Sequence, residues 1–372
     1  MAASAALDDL TQAVLAHEDV ARYMRDAEAR TRLEGYLDEL RTTQRYALYR
    51  ALQHPLYPIY RKITHITEHV DRPRTALAQG HVVYVSNHKS HLDYLIELLV
   101  LELSGIRPPL IAAGINLFGG ALGLLHRHIT GAIPIRRGSK DPVYLATLKA
   151  YVVEVLKHHD LLYYAEGGRS YSGELKAPKT GLLQAALQAD RTHLFVVPMA
   201  IAYDLVLEDK MLAREASRAR KRPFAHEVAE MIRHAVGYES RAFVTFGLPI
   251  PLVEYDPHAR RDLVALAHRI QHEVGLLHKV VPTALVASAL RASMTRSELA
   301  ARIDDLLALL SAQQANLAVT SGRQAVEEGV PLLVNRGILI TDRQRVRVRD
   351  RISLRYYART LQHLIPHRRP TH

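Results

Sequence analysis

A histidine and an aspartate stand five positions apart in Ser86-Asn87-His88-Lys89-Ser90-His91-Leu92-Asp93, directly after the apolar run His81 to Val85. That run reads as a short buried strand. A histidine at a strand end can take the proton of a substrate hydroxyl as general base. A carboxylate beside it can hold the imidazole in one tautomer and stabilise its charged form. The chain has no cysteine, which excludes a thiolate nucleophile, cysteine metal ligands and disulfides. Ser86 and Ser90 lie outside any Gly-x-Ser-x-Gly elbow, so direct attack by a substrate hydroxyl with His88 as base is the simpler chemistry. Asn87 and Ser90 read as residues that hold the turn by local hydrogen bonds. The plainer reading of the pair is a helix-start histidine with an aspartate favourable to the helix dipole.

Three later segments carry binding chemistry. Ile135-Arg136-Arg137 follows an apolar run and precedes Gly138 and a predicted helix N-terminus. A guanidinium binds a phosphate dianion bidentately, and a helix N-terminus adds amide donors. Glu166-Gly167-Gly168-Arg169-Ser170 follows the run Leu161 to Ala165. Its two glycines let backbone approach a ligand closely. Pro198 interrupts the apolar run Val196 to Ala200, which predicts a sheet edge or a bulge beside the site. Without context, paired arginines are a solvated surface and the Glu-Gly-Gly-Arg turn is a tight turn with a weak ion pair.

In their order and intervals the four segments resemble the four sequence blocks of the glycerolipid acyltransferases. The Glu-Gly-Gly-Arg-Ser form, and the run Ile111-Ala112-Ala113-Gly114-Ile115-Asn116-Leu117, are similar to the membrane-bound bacterial and mitochondrial glycerol-3-phosphate acyltransferases. Dihydroxyacetone-phosphate acyltransferases share much of the pattern. The similarity is densest from Val82 to Pro251 and resumes at Leu354-Arg355-Tyr356-Tyr357-Ala358. The resemblance implies transfer of a fatty acyl chain from acyl-CoA or acyl-carrier protein to the sn-1 hydroxyl of glycerol-3-phosphate, giving lysophosphatidate without a cofactor. It makes His88 and Asp93 catalytic. It places Arg136, Glu166, Gly167, Arg169, Ser170 and Lys140 around the acceptor. The family often has a basic residue after the serine of the third block, where this chain has Tyr171; Lys176 or Lys179 could replace it. The acceptor could instead be dihydroxyacetone phosphate or lysophosphatidate. A reading of another class is a non-catalytic basic protein docking on anionic membranes or nucleic acid. It would leave the His/Asp pair and the Glu-Gly-Gly-Arg turn without purpose, so no nucleic-acid partner is expected.

The elements that must position these residues follow from periodicity. Residues 1–70 read as an N-terminal helical region, broken at His54 to Pro58. Residues 71–280 alternate strand-length apolar runs with helical patterns, which predicts an α/β layer architecture; the family resemblance implies that this is the acyltransferase domain, a mixed sheet flanked by helices. Residues 281–372 read as a mostly helical C-terminal region, with a small helix-and-hairpin feature from Leu332 to Val348 around an Asn335-Arg336-Gly337 turn. The 372 residues are 48% hydrophobic, enough for a sizeable core, and carry a formal net charge of +11. Such a charge favours anionic partners: phosphorylated substrates, coenzyme A, acidic carriers or lipid headgroups. The apolar stretch Leu117 to Ile135 contains His126, Arg127 and His128, so it is not read as a membrane span. The start at Met1 lacks the basic and apolar regions of a signal peptide. Peripheral association with the cytoplasmic face of a membrane is expected through Leu117 to Leu125 and nearby basic residues; the plainer reading of the same stretch is a buried helix packing on the sheet. Among 21 histidines, His126 with His128, or His226 with His234, form no metal-ligand motif. No Walker loop or Gly-x-Gly-x-x-Gly occurs.

Overall fold

The computed structural model describes residues 2–45, 51, 63–118, 130–215, 239–342 and 344–365. A mixed sheet of eight strands lies between two layers of helices. Its strands are β1 (Ile63–Glu68), β2 (His81–Ser86), β3 (Leu110–Gly114), β4 (Ala132–Ile135), β5 (Leu161–Tyr164), β6 (Leu194–Tyr203), β7 (Ser240–Phe246) and β8 (Ile250–Pro251). The order is β1-β7-β6-β2-β5-β3-β4, with β8 also pairing to β6. From β6 through β2, β5 and β3 to β4 every pair is parallel, while β7 and β8 run antiparallel to β6.

The central strands are buried on both faces, as parallel strands under helices must be. In β2, Val82 and Tyr84 join one apolar cluster and Val83 and Val85 the other, the period-two alternation of a strand. From β2 the chain steps over β5 to reach β3, with the helix Asp93–Leu103 on the first face. From β4 to β5 and from β5 to β6 it steps back, with helices Pro142–Val155 and Gly181–Gln188 on the second face. Right-handed crossovers require this change of face when the direction reverses. The outgoing connections of β2 and β5 therefore diverge, opening a crevice at their carboxyl ends. That is where ligands bind in open α/β sheets.

Three expectations need correction or refinement. Residues 63–68, read as part of a helical region, form edge strand β1. Its Ile-Thr-His-Ile-Thr-Glu sequence has the β-branched alternation of a strand and pairs in parallel with β7. Pro198 sits inside β6, in the interior of the sheet, opposite Val85 of β2. Its carbonyl accepts the Gly247 amide, so its nitrogen faces the same side, where β7 has ended and β8 has not begun. The missing donor thus falls in a gap of the ladder. The predicted hairpin is a three-stranded sheet, β10 (Leu339–Thr341), β11 (Arg345–Val348) and β9 (Ser293–Thr295).

The C-terminal helices Pro282–Ala289, Arg296–Ala312, Gly322–Asn335 and Arg351–Arg359 share one apolar cluster with the first face of the sheet. Leu285, Leu333 and Tyr357 pack there with Tyr203 and Phe243. The helix Arg260–Leu277 covers the second face beside Gly181–Gln188. Among the described residues no helix is long and apolar enough to cross a membrane. Most of the Leu117–Leu125 stretch, the 54–58 break, His126, His128, His226 and His234 lie outside the described residues.

Candidate active site

At the carboxyl end of β2 the chain turns through Asn87 to Ser90 before the helix Asp93–Leu103. Asn87 fixes that turn to the sheet: its side chain donates to the Ile201 carbonyl at 2.9 Å and accepts the Ile201 amide at 2.8 Å. Asp93 is fully buried at the first turn of the helix. Its Oδ2 lies 2.8 Å from His88 Nδ1 and accepts the amides of Lys89 at 2.6 Å and Ser90 at 2.9 Å. Its Oδ1 accepts the Tyr203 hydroxyl at 2.8 Å. A buried carboxylate needs such partners. With Nδ1 held by Asp93, Nε2 is the nitrogen left for a substrate proton. Burial lowers the His88 pKa below the ordinary imidazole value, and the Asp93 contact raises it part of the way back. The imidazole is therefore neutral at pH 7, as a base must be.

The helix supplies a second carboxylate one turn on. Glu97 is buried, accepts the Ser86 hydroxyl at 2.5 Å and meets the Tyr164 hydroxyl at 2.8 Å. Burial, and then the charge of Asp93, hold its pKa well above the usual carboxylate range. Tyr164 at the end of β5 is thereby anchored flat against the base. Its ring centroid is 4.0 Å from that of His88, with 9° between the planes.

The Glu-Gly-Gly-Arg-Ser turn holds His88 by its backbone. Glu166 Oε1 accepts the His88 amide at 3.2 Å, and the Ser170 amide donates to the His88 carbonyl at 2.9 Å. Glu166 Oε2 accepts the Lys176 amide at 3.3 Å, and Ser170 Oγ donates to the Glu174 carbonyl at 2.6 Å. Gly167 adopts φ 67°, the left-handed conformation that turns the chain here. Glu166 and Ser170, expected at the acceptor, are thus engaged with backbone. A carboxylate would in any case repel a phosphate. Arg169 is buried, with Nη1 3.8 Å from Glu208 Oε1 and its guanidinium over Tyr171. Glu208 also accepts the Ser90 hydroxyl and the His91 amide, tying the same loop from a third side.

The two arginines after β4 part ways. Arg136, expected to bind phosphate, has its fork filled: Nε and Nη2 donate to both oxygens of Glu39 at 2.7 and 2.5 Å. Arg137 lines the small cleft, about 30 Å³, that also contains His88, Tyr94, Ile111 and Tyr164. The cleft shares Ala112, Ala113, Arg137 and Tyr164 with a cavity of about 310 Å³, walled by Ile135, Leu148, Tyr163 and Leu182. A β-carbon on Gly114 would lie 2.8 Å from the Arg137 guanidinium carbon, and one on Gly168 would lie 3.3 Å from its Nη1. Two glycine backbones therefore cradle this guanidinium. Among the described residues no carboxylate pairs with it. Lys179 lines the larger cavity, whereas Lys176 donates its ammonium to the Arg169 carbonyl. Lys140 is exposed and lines neither space.

Sequence reasoning singled out His88 and Asp93, which the structure brings together, and passed over Glu97, Tyr203, Glu208 and Arg137. Glu97 alone had a local signal, four residues after Asp93 on one helix face. The arrangement can deprotonate a hydroxyl beside an open guanidinium, next to an apolar cavity.

Two family models match the chain: "Acyltransferase" over residues 63–202 and "Glycerol-3-phosphate acyltransferase C-terminal region" over residues 228–367. Curated relatives bear the name glycerol-3-phosphate acyltransferase. That of Actinobacillus succinogenes is 36% identical over 64% of this chain and 30% of its own length. That of Shewanella pealeana is 30% identical over 87% of this chain and 44% of its own. That of Glaesserella parasuis is 28% identical over 90% and 46%. The chain spans less than half the length of these relatives. A solved 1-acyl-sn-glycerophosphate acyltransferase from Thermotoga maritima is 14% identical, with a TM-score of 0.37 over 71% of this chain and 93% of that one. On its two matched regions, the chain belongs to the acyltransferase family and carries the C-terminal region of the glycerol-3-phosphate acyltransferases.

Proposed function

We propose that the chain is a glycerol-3-phosphate 1-O-acyltransferase. The observation that carries this reading is that His88, with Nδ1 tied to Asp93, shares one cleft with Arg137 and opens toward an apolar cavity. The acceptor phosphate sits on Arg137, with Lys179 nearby, and the acyl chain lies against Leu148, Tyr163 and Leu182. His88 Nε2 takes the proton of the sn-1 hydroxyl as its oxygen attacks the thioester carbonyl. The tetrahedral intermediate collapses, the carbon–sulfur bond breaks, and the leaving thiolate receives the proton from His88. Asp93 stabilises the imidazolium between these steps. The products are lysophosphatidate and a free thiol. The donor is acyl-CoA or acyl-carrier protein, and the enzyme works peripherally on the cytoplasmic face of an anionic membrane, which the net charge of +11 favours.

Thiol release from acyl-CoA and from acyl-carrier protein, with and without glycerol-3-phosphate, tests the reaction. Acceptor-dependent release with an sn-1 product supports it. Release only with dihydroxyacetone phosphate or lysophosphatidate moves the acceptor, and none with any acceptor removes the reading. Flotation with anionic and with neutral liposomes tests the membrane claim, which fails if neither carries the protein at low salt.

A further inference from the structure

The helix Ala27–Leu40 lies outside both regions matched to known families. It nevertheless reaches the arginine pair. Arg32, Tyr36 and Glu39 recur at helical spacing on one face and all meet the junction between β4 and the helix Pro142–Val155. Glu39 holds the Arg136 fork with both oxygens. Tyr36 places its ring under the same guanidinium, 4.8 Å from centroid to Cζ, and donates its hydroxyl to Asp141 at 2.6 Å. Arg32 contacts the same Asp141 oxygen at 3.3 Å. Asp141 caps the helix through the Val143 amide, and the Tyr144 hydroxyl from that helix accepts the Arg136 amide at 2.8 Å. Arg136 is thus fixed at its fork, its ring face and its backbone, one residue before Arg137.

We infer that Glu39 is a positioning residue for Arg137: by locking Arg136 it sets the backbone from which Arg137 reaches the cleft beside His88. The inference rests on the acyl-transfer reading of that cleft. The lock is poorly suited to a stability role. Arg136 and Glu39 keep 42% and 20% of their side-chain surface exposed, and ion pairs in such places add little to folding. A bidentate fork over an aromatic ring does, however, define a direction that a point charge cannot. A guanidinium displaced by a fraction of an ångström loses much of its grip on a small anion.

The test is a set of steady-state measurements on the full chain. Glu39→Gln should raise the KM for glycerol-3-phosphate roughly tenfold. Its kcat, donor KM and thermal midpoint should stay close to those of the unaltered protein. Arg136→Lys should act in the same direction, and the double variant should be less than additive. In an Arg137→Lys background, Glu39→Gln should no longer move the acceptor KM, because the residue it positions is already compromised. An unchanged acceptor KM overturns the inference. So does a loss of kcat and both affinities together with the thermal midpoint, which marks a merely structural pair. A fall in acceptor KM overturns it as well, since Glu39 would then compete with the substrate for Arg136. If the unaltered protein shows no acceptor-dependent thiol release, the functional reading fails on its own. The lock is then read from inorganic phosphate binding by calorimetry, which Glu39→Gln must weaken and which, if unchanged, overturns the lock.

Discussion

The phenol ring of Tyr164 lies flat on the imidazole of His88, 4.0 Å between centroids, while its hydroxyl is tied to Glu97 at 2.8 Å. The base is thus held at one ring edge by Asp93 and across one face by Tyr164. An aromatic contact of this kind contributes about 1 kcal/mol, or roughly fivefold in a rate if it is needed in the transition state. Tyr164→Phe keeps the ring and removes the tie, so it should lower kcat by no more than roughly threefold. Tyr164→Ala removes the stack and should lower it roughly tenfold or more. Equal losses in the two variants would assign the effect to the hydroxyl rather than to the ring.

His88→Ala should reduce kcat roughly a hundredfold or more, the scale of a lost general base, with a thermal midpoint near that of the unaltered chain. The pH profile gives an independent check. The base must be neutral, so kcat/KM should be level above its pKa and fall as pH drops through it. Burial lowers that pKa, so the acid limb should lie below pH 6.5, the ordinary imidazole value. The Asp93 contact raises the pKa part-way, so Asp93→Asn should move the limb to still lower pH while kcat falls through loss of the correct tautomer. A limb above pH 6.5 would assign the titration to another group.

Arg137→Ala should raise the KM for glycerol-3-phosphate more than Arg136→Lys does, and should leave the donor KM nearly constant. Loss of a charge-assisted contact to phosphate costs about 2 kcal/mol, or roughly thirtyfold. If the donor KM rises instead, Arg137 reads the donor's phosphates and the two substrates lie in the cleft the other way round.

Gly173 adopts φ 88°, and a β-carbon there would lie 2.1 Å from the Tyr356 carbonyl oxygen. Its own carbonyl accepts the buried Lys89 ammonium at 2.7 Å, one residue from the base. Gly173→Ala should therefore destabilise the protein by about 2–4 kcal/mol, through the left-handed backbone and the clash together. It should also lower kcat in whatever protein stays folded. Urea titration measures the first effect and turnover per folded molecule the second. An unaltered urea midpoint would show that the loop shifts freely and that the contact places no constraint on the site.

The sheet was legible where the chain spells it locally. Apolar runs at 81–85 and 161–165 became β2 and β5 within a residue or so, and the run 196–200 lies inside β6. The contact between His88 and Asp93 was legible because both lie in one turn. What stayed hidden depends on residues far apart in sequence. Tyr203 reaches Asp93 across 110 positions and Glu208 reaches Ser90 across 118, and no period links such residues. Arg136 and Arg137 are alike in sequence; they are told apart only by Glu39, 97 positions before the first of them. Glu166 and Ser170 were assigned to the acceptor by the family resemblance; their hydrogen bonds in the structure go to backbone, including that of His88, and no sequence period shows this.

The loop that grips His88 is itself closed by the helix Arg351–Arg359. The backbone of Tyr356 abuts Gly173, and Arg359 pairs with Glu174 at 3.4 Å. During synthesis, His88, Asp93 and both arginines emerge long before that helix does. A nascent chain can therefore carry the complete sheet and both arginines and still lack a settled catalytic loop. Closure of that loop therefore depends on one of the most non-local dockings in the fold.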